Sequence, residues 1–357
     1  MRLAGTLLAV LVIGSASAGA QTGSVFNRTG SGARAAGMAN AFIAVSDDGT
    51  AASWNPAGLG QLRMPEFSVV TTTSRRSLAS EGFRTRDDLA VFSPFRSAYG
   101  SAYLDFASLA VPATILGKPV TFQASWRRLY TLDFRANGSV SRERLTPQGP
   151  PPVLIQANDD AAGGIDLLSI AGAVKLTSRL ALGGSFNSWR GNWTEDAATS
   201  ETPLEGPGPP RFVMTSQASR LRGESLSLGL MLTYPRWNIG VQYQGRLHGD
   251  FAAGTTTRTS RDPQPPPLSF EGRLRFPQAV GVGAAWRPAT RWTVAFDLTW
   301  DQWTDSLFFP ADGPPVNLFD ELPPDRSPTR DTWSANAGAE HEGVCYSGGE
   351  TAGWDCP

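Results

Sequence analysis

The chain lacks most of what usually points to chemistry. Among its 357 residues there are 2 Cys and 2 His, too few for a zinc centre or a disulfide framework to define the fold. Lys and Arg number 31 against 32 Asp and Glu, a net charge of -1, so no basic surface for nucleic acid is expected. After the first twenty residues no run of about eighteen apolar residues occurs, which excludes a helical membrane span. These absences do not exclude a membrane β-barrel, where lipid-facing and lumen-facing residues alternate. A hydrophobic content of 41% suits a soluble β protein equally well.

What is present is glycine (38), proline (27) and tryptophan (11). Glycine and proline at this level favour many strands joined by turns. Residues 1–20 carry Arg2, an apolar core from Leu7 to Ile13 and the small residues Ala18-Gly19-Ala20. That pattern is expected to be a cleaved signal peptide; the apolar run is too short to cross ~30 Å of hydrocarbon as a helix.

From Glu66 the pattern takes a period of two. Leu226, Leu228, Leu230 and Leu232 alternate with Ser227, Gly229 and Met231; Trp292, Val294, Phe296 and Leu298 alternate with Thr293, Ala295 and Asp297. About ten strands follow this way between residues 63 and 341, many of about ten residues, the length a tilted strand needs to cross a bilayer. Short connections such as Ser178-Arg179 and Pro235-Arg236 alternate with long Pro-rich ones such as Glu205 to Pro210 and Pro263 to Pro267. One-sided long loops are the mark of an outer-membrane barrel. Tyr234, Trp237, Trp286 and Trp292 flank the short turns, and Trp189, Trp193, Phe251, Trp300 and Trp303 lie toward the long loops. These read as two aromatic girdles. A soluble exported β-sandwich is the competing architecture.

Ahead of the strands lies Gly32 to Leu62, rich in Gly and Ala, with Asp47-Asp48 and Asn55-Pro56-Ala57. Met38, Ala41, Phe42 and Val45 suggest a short helix from Ala35 to Ala44. Asp47 and Asp48 read as a turn or cap rather than catalytic partners, since nothing supplies the rest of a site; inside a barrel they would pair with lumen arginines. Gly30-Ser31-Gly32 and Gly37 lack the spacing of a dinucleotide fingerprint. His248 sits on the polar face of its strand and is expected to line the lumen. No catalytic residue, metal ligand or cofactor site is expected. In the third strand, Arg127 and Arg128 follow Trp126. In a regular strand one of them faces lipid, at a cost of ~2–4 kcal/mol near the midplane. Either a bulge turns both away, or the arginine snorkels to an interface.

The block Gly32-Ala33-Arg34-Ala35-Ala36-Gly37-Met38, Asp47-Asp48 and Trp54-Asn55-Pro56-Ala57-Gly58-Leu59 resembles the N-terminal signature of the FadL outer-membrane transporters. Those carry long-chain fatty acids and, in the TodX branch, aromatic hydrocarbons. Phe276-Pro277 through Asp297 to Trp303, and Asp331 to Gly338, are also similar. The resemblance implies an all-β, transmembrane antiparallel barrel of fourteen strands, with residues 21–62 as a lumenal hatch that includes Asn55, Pro56 and Ala57. It implies passive passage of fatty acid or hydrocarbon, lateral exit beside a kinked third strand (here Trp126, Arg127 and Arg128), no cofactor, and an outer-membrane monomer inserted by the barrel-assembly machinery. The PorV group has a similar signature, so a barrel scaffold for secretion or attachment is the alternative. The alternation stops after Glu340, at residues 342–357 with Cys345 and Cys356, where C-terminal truncation is expected.

Overall fold

The structure, a computed structural model, describes residues 30–85, 89–206, 208–342, 346–347 and 354–355. The expected signal peptide, the start of the expected hatch (21–29), Cys345 and Cys356 lie outside the described residues.

Seventeen strands form one sheet, and every ladder within it is antiparallel. In chain order they are β1 (Glu66–Ser80), β2 (Phe83–Arg84), β3 (Ala90–Phe92), β4 (Phe95–Ile115), β5 (Lys118–Thr131), β6 (Phe134–Arg144), β7 (Val153–Lys175), β8 (Leu180–Pro203) and β9 (Arg211–Thr233). There follow β10 (Trp237–Gln244), β11 (Leu247–Thr259), β12 (Leu268–Phe276), β13 (Ala279–Ala289), β14 (Trp292–Asp301), β15 (Leu307–Pro310), β16 (Val316–Asn317) and β17 (Thr332–His341). The wall is a series of staves in the order β1, β4, β5–β6, β7, β8, β9, β10–β11, β12–β13, β14–β15 and β17. These ten staves match the ten strands expected. Among the described residues β1 is laddered to β4 and β17 to β14, and no ladder joins β1 to β17.

Side chains sort to the two faces as alternation requires. On β13, Ala279, Gly281, Gly283 and Ala285 turn inward, and Val280, Val282 and Trp286 outward. The outer face carries Ile170 at 71% exposure, Leu226 at 59% and Phe296 at 51%, while buried Gln123, Asn238 and Asp297 lie inside. Moving one such large apolar side chain out of water is worth about 1.5–3 kcal/mol. Trp237, Trp286 and Trp292 stand exposed at the short-turn end, with Tyr234 stacked on Trp237 at 3.9 Å, one aromatic girdle as expected.

The second girdle divides: Trp300 shares the outer face of β14 with Phe296 and Leu298, and the others turn inward. Trp189 is buried on the inner face, and Trp193, Phe251 and Trp303 pack with it. The sequence shows which end of a strand holds an aromatic; the face depends on parity, and odd-numbered positions of β8 point inward.

Several stretches without apolar alternation are strands. β6 occupies the stretch after Arg135, β8 runs on through Thr194–Glu201 to Pro203, and β4 begins at Phe95. Strands of 23 and 24 residues far exceed the ~10 needed to cross a bilayer. Their outer parts have water on both faces, so no apolar alternation marks them, yet the ladder still pairs their backbone groups. β4 and β5 are joined by Leu116-Gly117 alone, both with positive φ (51° and 72°), the geometry of a tight two-residue hairpin.

Residues 30–62 lie against the inner face. They contact β1 through Gly49 and Glu66, β4 through Ser108, β9 through Leu230, β14 through Asp297 and β17 through Glu340. The sheet therefore curls around this segment from one edge to the other. Helix α1 is shorter than expected, Ala33–Gly37. Ala39 and Asn40 take left-handed conformations (φ 51° and 64°), which stops the helix, although Met38, Ala41, Phe42 and Val45 are all buried.

Candidate functional site

The segment has little regular structure, so its backbone groups need partners from elsewhere. Wall side chains supply them. Gln123 Nε2 and Ser108 Oγ donate to Gly49 O at 2.6 and 2.7 Å, and Asn238 Nδ2 donates to Ala44 O at 3.1 Å. Asp297, 1% exposed, accepts from the N–H groups of Phe42 and Ile43 at 2.6 and 2.8 Å. Sequence reasoning placed Asp297 on the inner face of its strand but gave it no role. Its signals were a carboxylate among Thr293, Ala295, Thr299 and Asp301 on one strand face and a place in a stretch similar to the family, and neither names its partner.

Asn55 is fully buried and caps a 3-10 turn, Pro56–Gln61. Its Nδ2 donates to Ile43 O and to Leu230 O of β9, both at 3.1 Å, and its Oδ1 accepts from Ala57 N at 3.1 Å. Pro56 at the first position of the turn has no N–H to leave unsatisfied. The wall approaches closely because Gly183 and Gly229 are cross-strand partners. A Cβ on Gly229 would lie 2.1 Å from Asn55 Oδ1, and one on Gly183 would lie 2.4 Å from Ala57 N. Ala57 packs with Ala181 and Met231 beside them.

Asp47 and Asp48 find their arginine in Arg34, within the segment itself, where a lumen arginine of the wall was expected. Arg34 Nη1 lies 2.5 Å from Asp47 Oδ1 and 3.8 Å from Asp48 Oδ2, and Nε lies 2.6 Å from Glu340 on β17. The hydrogen-bonded Glu340 is the largest influence on the guanidinium; partial burial opposes it, Asp47 adds to it, and the net shift is upward. Asp48 also accepts from the N–H and hydroxyl of Thr50 at 2.8 and 2.6 Å.

Trp126, Arg127 and Arg128 sit where the wall changes. Arg127 turns inward and is buried; Arg128 turns outward and pairs with Asp166 of β7 at 2.5 Å. The register to β7 slips between Arg128 and Tyr130, so Leu129 bulges and both it and Tyr130 pack inward. On the other side, the β4–β5 ladder ends at Phe106 and Arg127. Beyond that pair β4 meets β6 through side chains, with Tyr99 donating to Asp133 O at 3.1 Å and stacking edge-on against Phe134.

Inside, next to this break, the wall is apolar. Tyr130, Trp189 and Phe276 stand with ring centres 6.0 to 6.5 Å apart, joined by Ile165, Leu221, Leu247 and Leu274. Trp189 Nε1 donates to Ser225 Oγ at 2.8 Å, so its buried polar atom is satisfied. A cavity of about 50 Å³ lies between this cluster, Trp54, Phe106 and Arg127. A second of about 70 Å³ lies between Trp54, Asn40, Asp297 and Asn336. A dry cavity of ~150 Å³ takes a benzene ring; the first cavity is smaller, so a ligand of that size displaces side chains to enter.

His248, expected in the lumen, is exposed on the outer face. The chain breaks between β10 and β11 at Gly245-Arg246, where Gln244 pairs with Ser227 but His248 with Glu224. The extra residue inverts the parity, turning Leu247 inward and His248 out.

No sequence-family profile and no curated protein sequence matches the chain. Solved structures do match. A Pseudomonas aeruginosa FadL homologue aligns with a TM-score of 0.56 at 12% identity, covering 86% of this chain and 76% of that one. The fold is that of the FadL transporters. The CymD monoaromatic hydrocarbon channel aligns at TM-score 0.54 and 17% identity over 90% and 82% of the two chains. The Ralstonia pickettii toluene transporter TbuX aligns at 0.52 and 15% over 89% and 84%. These identities establish a shared FadL-like fold.

Proposed function

We propose that this chain is an outer-membrane channel through which small hydrophobic compounds pass without an energy source. The reading rests chiefly on the apolar cluster of Tyr130, Trp189 and Phe276 with its flanking aliphatics, the largest aromatic grouping on an inner face that elsewhere alternates small and polar residues with single apolar ones such as Phe106 and Met231. Aromatic and aliphatic side chains bind apolar solutes by shape and burial, and nothing in an ordinary barrel lumen requires them. The FadL-like fold supports it, as do neighbours described as a toluene transporter and a monoaromatic hydrocarbon channel. Those descriptions give no support to a secretion scaffold.

In this reading residues 30–62 are the hatch. Asn55, Pro56 and Ala57 seat it on β8 and β9, and the ion pairs of Asp47 and Asp48 with Arg34 hold its turn near Glu340, toward the short-turn end. The ladder break at Trp126, Arg127 and Arg128 is the lateral exit, since Phe106, Arg127 and Leu129 line both the break and the 50 Å³ cavity. The solute enters the cluster from outside, displaces side chains around Trp54, and leaves sideways into the bilayer.

Uptake of labelled toluene and labelled oleate by cells with and without the gene tests this. Expected is a loss of uptake of one or both on deletion. Trp189→Asp and Phe276→Asp should each lower it by at least about tenfold, the equivalent of ~1.4 kcal/mol, at unchanged outer-membrane abundance. Uptake unaffected by deletion overturns the proposal.

A further inference from the structure

From the wall break at Arg128 a row of charge runs across the outer face, and beyond Asp166 the proposed route does not use it. Across neighbouring staves, Arg128 stands opposite Asp166, Asp166 opposite Arg190, Arg190 opposite Arg222, Arg222 opposite Asp250, and Asp250 opposite Arg273. All alternate with residues that point into the lumen, so all face outward. Arg128 is matched by Asp166, and Arg246 and Arg275 by Asp305. Arg190, Arg222 and Arg273 form no ion pair among the described residues, although Asp250 and Glu224 stand nearby in register.

The direct opposition of Arg190 and Arg222 is the telling feature. Like charges facing each other across a ladder destabilise it; Asp166 and Asp250 flank the pair in register, but neither closes to an ion pair with Arg190 or Arg222 among the described residues. The three arginines line a recess of about 1080 Å³ together with Phe186, Leu226 and Tyr243, and its five arginines (Arg246 and Arg275 are the others) outnumber the two carboxylates that line it, Glu224 and Asp250. Arg190 lies roughly ten residues above the short turn that precedes Leu180, and at ~3.3 Å per residue along a strand tilted ~40° this is about 25 Å, the height of the apolar band. Below the arginines, Phe186, Leu226 and Leu228 are exposed on the same face. Cationic groups therefore stand at the boundary of an apolar surface, on the side of the long strands.

We propose that Arg190, Arg222 and Arg273 bind the phosphate groups of an outer-leaflet lipid whose acyl chains lie along Phe186, Leu226 and Leu228. Guanidinium groups pair with phosphate through two parallel hydrogen bonds, and an anion shared between Arg190 and Arg222 turns their repulsion into attraction. The inference rests on the membrane reading of the preceding section, which fixes which face meets lipid.

The full chain, refolded into phosphatidylcholine vesicles with or without a small fraction of lipid A as the diphosphorylated probe, provides the test. Bound lipid A is counted by native mass spectrometry after detergent extraction. The triple variant R190Q/R222Q/R273Q should bind lipid A about a hundredfold more weakly, roughly fivefold per arginine near a charged interface. A control with the same charge change at the long-loop end, R211Q/R258Q/R261Q, should bind as the parent does. Equal binding by the triple variant and the parent, with both floating with the vesicles, overturns the lipid site and leaves the channel reading standing. Complete displacement of lipid A by inorganic phosphate overturns it too, since the site would then take the free anion. A chain that floats with neither vesicle overturns both readings together.

Discussion

Asn55 concentrates the cost of losing one side chain. It satisfies Ile43 O, Leu230 O and Ala57 N together in a site with no water access. Each buried group left unpaired costs ~1–3 kcal/mol, so Asn55→Ala is expected to destabilise the folded chain by about 3 kcal/mol. Gly229→Ala should have the same phenotype through a different cause, because its Cβ would meet Asn55 Oδ1 at 2.1 Å. Temperature-dependent gel mobility reads the stability, and single-channel conductance reads the leak that a loosened hatch admits. An Asn55→Ala chain with parental mobility and conductance would show that the seat is elsewhere. Asn55-Pro56-Ala57 stood out in the sequence through the resemblance of its block to the FadL signature. Its seat on Gly183 and Gly229 did not, since two glycines in separate strands are marked as neighbours only once the ladder pairs them. Asp297 was hidden for the same reason: its partners are backbone N–H groups of Phe42 and Ile43, which no composition or spacing reveals.

At the scale of elements, the two breaks in strand continuity carry most of the surprise. Alternation along β5 and β10 is readable residue by residue, but a single bulged residue inverts everything after it. At Leu129 it brings Tyr130 into the apolar cluster; at Gly245-Arg246 it brings Leu247 in and puts His248 out. A sequence with regular alternation on either side of such a residue gives no sign of which way the far half turns. Trp189, Trp193 and Phe251 were read as a girdle on the same grounds, from their height along the strand, while parity puts them inside. Deleting Leu129 tests the wall break directly. Without the bulge the ladder from β5 to β7 can run on in register, and Tyr130 turns to the outer face. Uptake of the transported solute is expected to fall by about an order of magnitude, ~1.4 kcal/mol, with the protein still extracted from the outer membrane in full amount. Unchanged uptake would remove the break from the route.

For the molecule as a whole, the segment inside the wall does more than block a lumen. Among the described residues the edges β1 and β17 share no ladder, yet the segment touches both. Gly49 N–H donates to Glu66 of β1 at 2.6 Å, and Arg34 pairs with Glu340 of β17. Between those points it is fastened to β4, β5, β10 and β14 by wall side chains that turn inward, and to β9 by Asn55 donating to the backbone carbonyl of Leu230. The wall supplies hydrogen bonds to a segment with few of its own, and the segment ties together the staves at the two edges. Loss of the Arg34–Glu340 contact should then release β17 before the rest of the wall. Arg34→Ala leaves Asp47 and Glu340 without their shared cation. Glu340→Gln keeps a hydrogen-bonding group and loses only the charge. Because these side chains are partly exposed, the charge alone is worth ~1 kcal/mol or less. Amide hydrogen exchange along Thr332–His341 is expected to quicken strongly in Arg34→Ala and slightly in Glu340→Gln, while exchange in β7 and β8, each laddered on both sides, stays at the parental rate. Uniform acceleration across all staves would mean that the segment stabilises the wall as a single unit, and that the edge has no separate dependence on Arg34.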